Sequence, residues 1–394
     1  MKETDVVLVR YGEIGVKSTQ VRIGMEKRLR ENLQKTLDRK DVPSNVERKW
    51  SRIYIHTPET ERAVRVASKT PGVVSASPSV ITTAEEEDVT ATAAELASRY
   101  YDGGSFAIDA RRAGDEEQHP YGSEEIAARA GDAVGESVGF EEKVDLDDPD
   151  FTIYLEIRNQ TCYVYLEKRS GPGGLPYGSQ TPVVALISGG IDSPVAAWRI
   201  MERGSPILPL YFDLGKYGGV DHMQRAKETV SKLADRVPEG ELELRVVDAE
   251  ETVDELVNRV GETRMLSYRR YMYRAAETIA REQEAAGIVT GEAVGQKSSQ
   301  TTRNLQATDS VTELPVHRPL LTVDKTDITA EAKEIRTFTD SKMNVGCNRI
   351  APDRPRTKAR LSEVLRAEPQ DLLEMAASDA EQAGIQKVAG TPDR

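Results

Sequence analysis

Cysteine is nearly absent: the 394 residues hold two, Cys162 and Cys347. Two thiols cannot frame a disulfide scaffold, a Cys-rich zinc site or a four-cysteine iron–sulfur cluster, so if either matters it matters as a single thiol. Long apolar runs are missing too, and nothing approaches the roughly 20 apolar residues of a membrane span. The opening Met1-Lys2-Glu3-Thr4-Asp5 has neither the basic nor the apolar region of a signal peptide, so a soluble cytoplasmic protein, with no membrane partner, is expected. Aromatics make up only 5%, with 5 Phe and 2 Trp, and 53 Lys+Arg are outnumbered by 66 Asp+Glu for a net charge of −13. The global basic footprint of a nucleic-acid enzyme is therefore lacking. The acidic surplus, with Arg favoured over Lys, reads as a halophilic surface, the alternative being an ordinary acidic cytosolic enzyme. What is present suffices to fold. Hydrophobic residues (38%) interleave with charged ones (30%), which excludes wholesale disorder. At about 100–200 residues per domain the length gives two or three domains.

Periodicity divides the chain. Strands are expected over 5–10, 46–49, 52–56 and 73–80, with helices over 21–37 and 60–68. That order, β-α-β-β-α-β, is ferredoxin-like and assigns residues 1–80 to one domain. Helix 84–99, strand 105–110, helix 123–135 and an alternating Thr/Ile/Tyr/Val-rich pair, 151–158 and 160–167, form a second α+β unit over 81–170. Glycine and proline crowd the run Ser170-Gly171-Pro172-Gly173-Gly174-Leu175-Pro176-Tyr177-Gly178-Ser179, which continues neither period and puts a linker at 171–181. From 182 to 394 continuous apolar strands (183–187, 207–212, 242–247, 288–290) alternate with helices (194–203, 223–237, 266–284, 299–307). Such a pattern specifies a doubly wound parallel sheet covered on both faces, with ligands bound at the carboxyl ends of its strands.

The first of those strands runs into Ser188-Gly189-Gly190-Ile191-Asp192-Ser193, and Pro194 opens the helix behind it. Two glycines permit a tight turn whose N–H groups face an anion, and the hydroxyls of Ser188 and Ser193 add donors at the positive end of the helix. The loop is a phosphate cradle. It is not a Walker A loop, since no Lys-Ser/Thr pair follows the glycines. Asp192 is the expected oxygen ligand for Mg²⁺ beside the phosphates of ATP, an arrangement suited to cleavage between the α- and β-phosphates. A lone Gly-Gly is more often a plain turn. The complete Ser-Gly-Gly-x-Asp-Ser after a buried strand resembles the pyrophosphatase-loop signature of the adenine nucleotide α-hydrolase-like fold, shared by ATP-dependent adenylating enzymes.

Further segments narrow the resemblance. Thr290-Gly291-Glu292-Ala293-Val294-Gly295-Gln296-Lys297-Ser298-Ser299-Gln300-Thr301 with Asn304-Leu305, then Leu314-Pro315-Val316-His317-Arg318-Pro319-Leu320 and Asp324-Lys325, are similar to the C-terminal half of the tRNA 4-thiouridine synthetase (tRNA sulfurtransferase, ThiI) family. Tyr11-Gly12-Glu13-Ile14 with Lys17 is similar to that family's start. The resemblance spans nearly the whole chain and implies a ferredoxin-like N-terminal domain, a THUMP RNA-binding domain and a pyrophosphatase-loop catalytic domain, in that order. It also implies a reaction: ATP adenylates the uridine at position 8 of tRNA, and sulfur then displaces AMP, because a carbonyl oxygen leaves readily only after activation. Nucleotide contacts are implied at Leu186, Ile187, Ser188, Gly189, Gly190, Asp192, Ser193, Tyr211, Phe212, Arg269, Gly291 and Gln300, with catalytic roles for Asp192 and Cys347. Each has a plainer reading. Leu186 and Ile187 are core in any version, Tyr211-Phe212 are equally read as core, Arg269 and Arg270 as a solvated helix face, and Gly291 as a turn.

Cys347 lies in Lys342-Met343-Asn344-Val345-Gly346-Cys347-Asn348-Arg349, followed by Arg354, Arg356 and Lys358, and nearby cations favour the thiolate. It matches the family's catalytic cysteine, whereas Cys162, inside a strand, reads as a small packed hydrophobe. The implied partners are tRNA, a persulfide or sulfide donor for Cys347, and a second copy in a homodimer. Bacterial members end in a rhodanese domain to which a thiamine-thiazole role belongs; this sequence stops at Arg394 without one, as in a short archaeal-type form. Where some archaeal relatives place a Cys-x-x-Cys pair associated with an iron–sulfur cluster, Met265 and Tyr268 stand here. For the THUMP domain, Arg111, Arg112, Lys168 and Arg169 are the candidate RNA contacts, each equally read as a solvated charge. Two rival readings remain: an ATP-dependent amide-forming synthetase, whose ammonia source the N-terminal units do not resemble, and a non-catalytic THUMP RNA-binding adaptor, against which intact Ser188, Asp192, Ser193 and Cys347 weigh.

Overall fold

Apolar residues run without a break from Val6 to Val9 in the first strand, β1 (Val6–Arg10), so both of its faces are buried there. The computed structural model describes residues 6–49, 52–113, 120–139, 144–218, 220–338 and 349–391. They fall into two units, Met1–Leu175 and Pro176–Arg394, each with its own sheet.

In the first unit β1 is followed by α1 (Thr19–Arg39), β2 (Asn45–Lys49), β3 (Arg52–His56), α2 (Thr60–Ala67) and β4 (Ser75–Thr83). Next come α3 (Glu86–Tyr100), β5 (Phe106–Ala113), α4 (Ser123–Val138), β6 (Phe151–Arg158), β7 (Thr161–Tyr165) and the short β8 (Arg169–Ser170). The strand order β2-β3-β1-β4-β7-β6-β5 contains the antiparallel ferredoxin-like sheet as its first four members. Strand β4 is shared. Its residues Ser75–Ser79 pair with β1 and Val80–Thr83 with β7, so one strand runs through the 80/81 position where the sequence divides two domains.

The shared strand lets the sheet fold on itself. β3 and β7 stand three places apart, about 14 Å in a flat sheet, yet the rings of Tyr54 (β3) and Tyr163 (β7) have centroids 5.1 Å apart. Val6, Leu8, Tyr54, Tyr163 and Tyr165 fill the space between the two halves, while α1 and α2 cover Val7 and Val9 and α3 and α4 cover Ile153, Leu155 and Ile157. Glu156 of β6 is buried in the seam and accepts from Arg10 Nε of β1 (3.0 Å), Arg52 Nε of β3 (3.0 Å) and Arg158 Nε (2.7 Å). Burial alone would raise this carboxyl, but the guanidiniums of Arg52, Arg10 and Arg158 outweigh it and hold the group below the usual carboxylate range.

The second unit holds β9 (Val183–Leu186), α5 (Asp192–Glu202), β10 (Ile207–Asp213), α6 (Val220–Ala234), β11 (Glu241–Asp248), α7 (Glu250–Arg259), α8 (Arg264–Glu282) and β12 (Ile288–Val289). They are followed by α9 (Thr302–Asp309), β13 (Val316–His317), α10 (Lys325–Glu334), α11 (Leu361–Ala367), α12 (Leu372–Glu381) and β14 (Gly384–Ala389). The order is β13-β12-β9-β10-β11-β14, with β9 to β13 parallel and β14 antiparallel at the edge. One core lies on each face of this doubly wound sheet. From β9 the chain proceeds to β10 on one side and later to β12 on the other, so the crevice beyond β9 is the switch point at which such sheets bind ligands.

Replacing Glu156 by Gln leaves one buried and two half-buried guanidiniums without their carboxylate, and should cost about 3–5 kcal/mol at neutral pH in denaturant unfolding. Because the native carboxyl titrates below its unfolded value, its stabilisation is complete above about pH 4.3 and is lost as the pH falls through the native value. The gap between wild type and variant should therefore close in acid; a gap independent of pH would contradict the assignment.

Candidate active site

Residues 188–193 join β9 to α5, and the turn is closed by its own hydroxyls. The Ser188 N–H donates to Ser193 Oγ at 2.9 Å, the two serine hydroxyls lie 3.1 Å apart, and Gly190 N–H donates to Ser188 Oγ at 3.3 Å. Asp192 and Ser193 open α5, and Pro194 sits in its first turn, where an absent N–H breaks no helical hydrogen bond. Lys325, the first residue of α10, reaches Asp192 Oδ1 at 2.5 Å.

Gly291, two residues beyond β12, backs this loop. A Cβ there would lie 2.7 Å from Ser193 N and 2.8 Å from Asp192 C, so close backbone approach, not a left-handed turn, requires the glycine. The next residue, Glu292, is buried and organises the adjoining wall. It pairs with Arg269 of α8, accepts from Arg318 Nε at 2.8 Å and from the Tyr273 hydroxyl at 2.5 Å. Burial pushes its carboxyl up, but Arg269 and Arg318 push harder and keep it below the usual range. Gln300, with its amide assigned from the hydrogen-bond pattern, donates to the Ala293 carbonyl (2.9 Å) and accepts from Arg269 Nη2 (3.2 Å).

The loop, Gly291, Glu292, Arg269 and Gln300 line one cavity of about 260 Å³ at the carboxyl end of the sheet. Leu186, Ile187, Ser188, Gly189, Gly190, Asp192, Ser193, Tyr211, Phe212, Arg269, Gly291 and Gln300 all contribute to its wall. The plainer reading of Tyr211 and Phe212 holds as well: they belong to cores on opposite faces of the sheet. Met265, Tyr268 and Met272 of α8 add an apolar side. Arg269 and Arg270 are not a solvated face. Arg270 is buried on Glu368 (3.0 Å) and fastens α8, whereas Arg269 faces the cavity. Glu292 and Lys325 stand in the segments that carry the family resemblance but had no role assigned from sequence, and His222 was not singled out; their partners at the loop are set by the fold.

Cys347 lies outside the described residues; Ala351, four positions on, lines the cavity. Cys162 is fully buried in β7 and burial pushes its thiol up, so it is a packed hydrophobe. The THUMP-domain cations are largely engaged locally. Lys168 holds Asp109 (3.1 Å) over the Tyr154 ring, Arg169 holds Glu167 (2.9 Å), Arg112 donates to the Tyr121 carbonyl, and Arg111 is 75% exposed beside Asp109. A stronger basic surface lies elsewhere. Residues 17–40, α1 and its flanks, carry eight Lys or Arg against three Asp or Glu in a chain whose net charge is −13. Of those three acids, Glu26 is buried and paired with Arg48 at 2.6 Å.

Gly291→Ala should displace the loop and cost about 1–3 kcal/mol, as overpacking does. Gly189→Ala, whose added methyl meets only ordinary contacts from 3.5 Å outward, should cost less than half as much. Denaturant unfolding of the two variants checks this, and equal losses would contradict the backing role of Gly291.

Comparison with known proteins agrees with this layout. The ThiI ferredoxin-like domain matches residues 6–77, the THUMP domain 83–167, and the family described as "Thiamine biosynthesis protein (ThiI)" 178–373. A "Probable tRNA sulfurtransferase" of Halobacterium salinarum is 51% identical over 387 residues, covering 98% of both chains. One from Methanosarcina mazei is 37% identical, covering 96% of this chain and 94% of its own. Among solved structures, a 4-thiouridine synthetase crystallised in complex with RNA and with bound ATP superposes with a TM-score of 0.84 at 30% identity, covering 98% of this chain and 100% of that one. Half identical to a probable tRNA sulfurtransferase over 98% of both chains, and matched by the ThiI, THUMP and ThiI ferredoxin-like domain models, the chain belongs to the tRNA sulfurtransferase (ThiI) family.

Proposed function

We propose that this protein uses ATP to convert the uridine at position 8 of tRNA into 4-thiouridine. The observation that carries the reading is the self-closed Ser-Gly-Gly-x-Asp-Ser loop at the switch point, backed by Gly291 and facing a cavity with cationic and apolar walls. The donor set suits ATP. Loop N–H groups and hydroxyls meet phosphate oxygens, Arg269 and Lys325 supply charge, and the Leu186, Met265, Tyr268 and Met272 side takes an apolar purine face. Two carboxylates line the cavity, and Glu292 is engaged by Arg269, Arg318 and Tyr273. Asp192 is thus the side chain left to hold Mg²⁺, an oxygen-seeking ion that would draw charge from the phosphates, with Lys325 giving way or sharing.

In this reading O4 of the uracil attacks the α-phosphorus, the bond to the β-phosphate breaks, pyrophosphate leaves, and the N3 proton passes to solvent or base. Sulfur then attacks C4 and AMP departs with its bond to carbon broken. Delivered as sulfide, sulfur needs no electrons; delivered as a persulfide on Cys347, it leaves an S–S bond that a small thiol must reduce. Lys325 and Arg269 hold their charges where the transition state gathers negative charge, the largest kind of contribution available to such a site. The basic surplus of α1 is assigned to tRNA phosphates, which fix register and carry no base specificity.

Pyrophosphate release from ATP by the purified chain should require unmodified tRNA, and Asp192→Asn should slow it by about a hundredfold or more. Release without tRNA, or an undiminished rate in the variant, would contradict the reading. Charge reversal of Lys27 and Arg28 should weaken tRNA binding at least tenfold and flatten the dependence of log K on log salt by roughly two contacts, measured by titration across a salt series.

A further inference from the structure

Residues 349–366, which lead into α11, carry six Lys or Arg against two Asp or Glu in a chain whose net charge is −13. Up to Arg360 they form neither helix nor strand, so their backbone groups need partners of another kind. Side chains of the cavity unit supply them. Asn304 of α9, fully buried, spends both ends of its amide here: Nδ2 donates to the Arg356 carbonyl at 2.9 Å and to the Ser298 carbonyl at 3.1 Å, and Oδ1 accepts from the Ala359 N–H at 3.0 Å. Thr301 Oγ1 donates to the Thr357 carbonyl (2.7 Å), Arg264 Nη1 to the Ile350 carbonyl (3.1 Å), and the Arg356 N–H to the Glu262 carbonyl (3.0 Å). Ile350 and Ala359 are buried in apolar clusters, and Pro352 and Pro355 each fix a backbone angle between them.

These fastenings lay a stiff strap along the rim of the cavity. Ala351 lines it, and so do Ser298 and Gln300, the first bonded to Asn304 and the second adjacent to Thr301. The backbone is held while the cations stay outside. Arg354 and Lys358 are exposed and make no ion pair among the described residues; Arg356 is shared between Glu262 (3.5 Å) and Glu363 (3.3 Å). Arg303, beside Asn304 on α9, is exposed as well and reaches only the Gln306 side chain. A connection into α11 calls for no such concentration of like charge, whose self-repulsion a polyanion would relieve. The polyanion that must come to this rim is an RNA chain: a base that reacts inside a concave cavity has to leave its stack, which brings the phosphates on either side of it to the mouth.

We infer that Arg354, Lys358 and Arg303 hold the tRNA phosphates flanking the uridine that enters the cavity, with Asn304 as the positioning residue that keeps the strap on the rim. This footing rests on the tRNA reading above and adds to the basic surface of α1 a second one, on the unit that carries the ATP loop. No bond is made or broken by it. Phosphates carry no base identity, so the strap governs where the chain enters and not which base is accepted.

Pyrophosphate release by the full chain, followed against tRNA concentration across a salt series, tests this. Release precedes sulfur transfer, so any influence of these cations on Cys347 does not enter the rate. Arg354→Glu combined with Lys358→Glu should raise KM for tRNA at least tenfold, leave kcat within about threefold, and flatten the dependence of log kcat/KM on log salt by roughly two contacts. Arg354→Lys combined with Lys358→Arg should behave as wild type. ATP binding measured by calorimetry without RNA should stay within about twofold in both pairs, which also reports that they are folded. Trypsin cleavage after Arg356 and Lys358 should be slowed by tRNA in wild type, and quickened without tRNA in Asn304→Ala. An unchanged KM or salt slope in the charge-reversed pair, an equal loss of ATP affinity, or cleavage indifferent to tRNA would overturn the footing while leaving the tRNA reading intact; cleavage unchanged in Asn304→Ala would overturn the role of that residue. Failure of wild type to release pyrophosphate in response to tRNA would overturn that reading and this inference together.

Discussion

A single side-chain oxygen, Ser193 Oγ, takes the N–H of Ser188 and bends the chain back between the first strand and first helix of the C-terminal unit. The net value of one such hydrogen bond is modest, about 1 kcal/mol, but its geometric effect is large. It closes the turn on itself, with both glycines lining the cavity. Gly291 then excludes a side chain from the space behind the turn, and Glu292, the next residue, fixes Arg269 and Arg318 through buried ion pairs. The turn and its backing wall are thus set by the protein's own contacts.

The charge distribution follows from the same need. A chain with a net charge of −13 cannot offer polyanions a basic surface everywhere, and it segregates its cations instead. The α1 face gathers a surplus, Arg269 lines the cavity with Lys325 next to it on Asp192, and the seam of the N-terminal unit sets three guanidiniums on Glu156. An acidic exterior fits the half-identity to a Halobacterium relative. Salt screens long-range attraction, which leaves shape and short hydrogen bonds to do more of the recognition.

Much of this was legible in the sequence, and what was not shares one property. The strand–loop–helix with its Ser-Gly-Gly-x-Asp-Ser is a local pattern, and the parallel sheet followed from short apolar runs separated by helices. The two-fold use of β4 was invisible, because alternation continues unbroken through a strand that changes partners midway. β14 carries only weak alternation, with Ile385 exposed, and pairs with a strand some 140 positions earlier. Arg269 and Arg270 are adjacent in sequence, yet one lines the cavity and the other is tied to Glu368; no periodicity distinguishes them. Lys325 meets Asp192 across 133 positions. Side chains whose roles rest on such long-range pairs are chosen by the fold, and only their residue type is written locally.

If the pre-formed turn serves thiolation of tRNA, the modified nucleoside depends on this chain in the cell. The most direct test is mass analysis of nucleosides in total tRNA from cells lacking this chain, with and without its re-expression. 4-Thiouridine should disappear on deletion and return with the intact chain. An unchanged 4-thiouridine content in the deletion would contradict it.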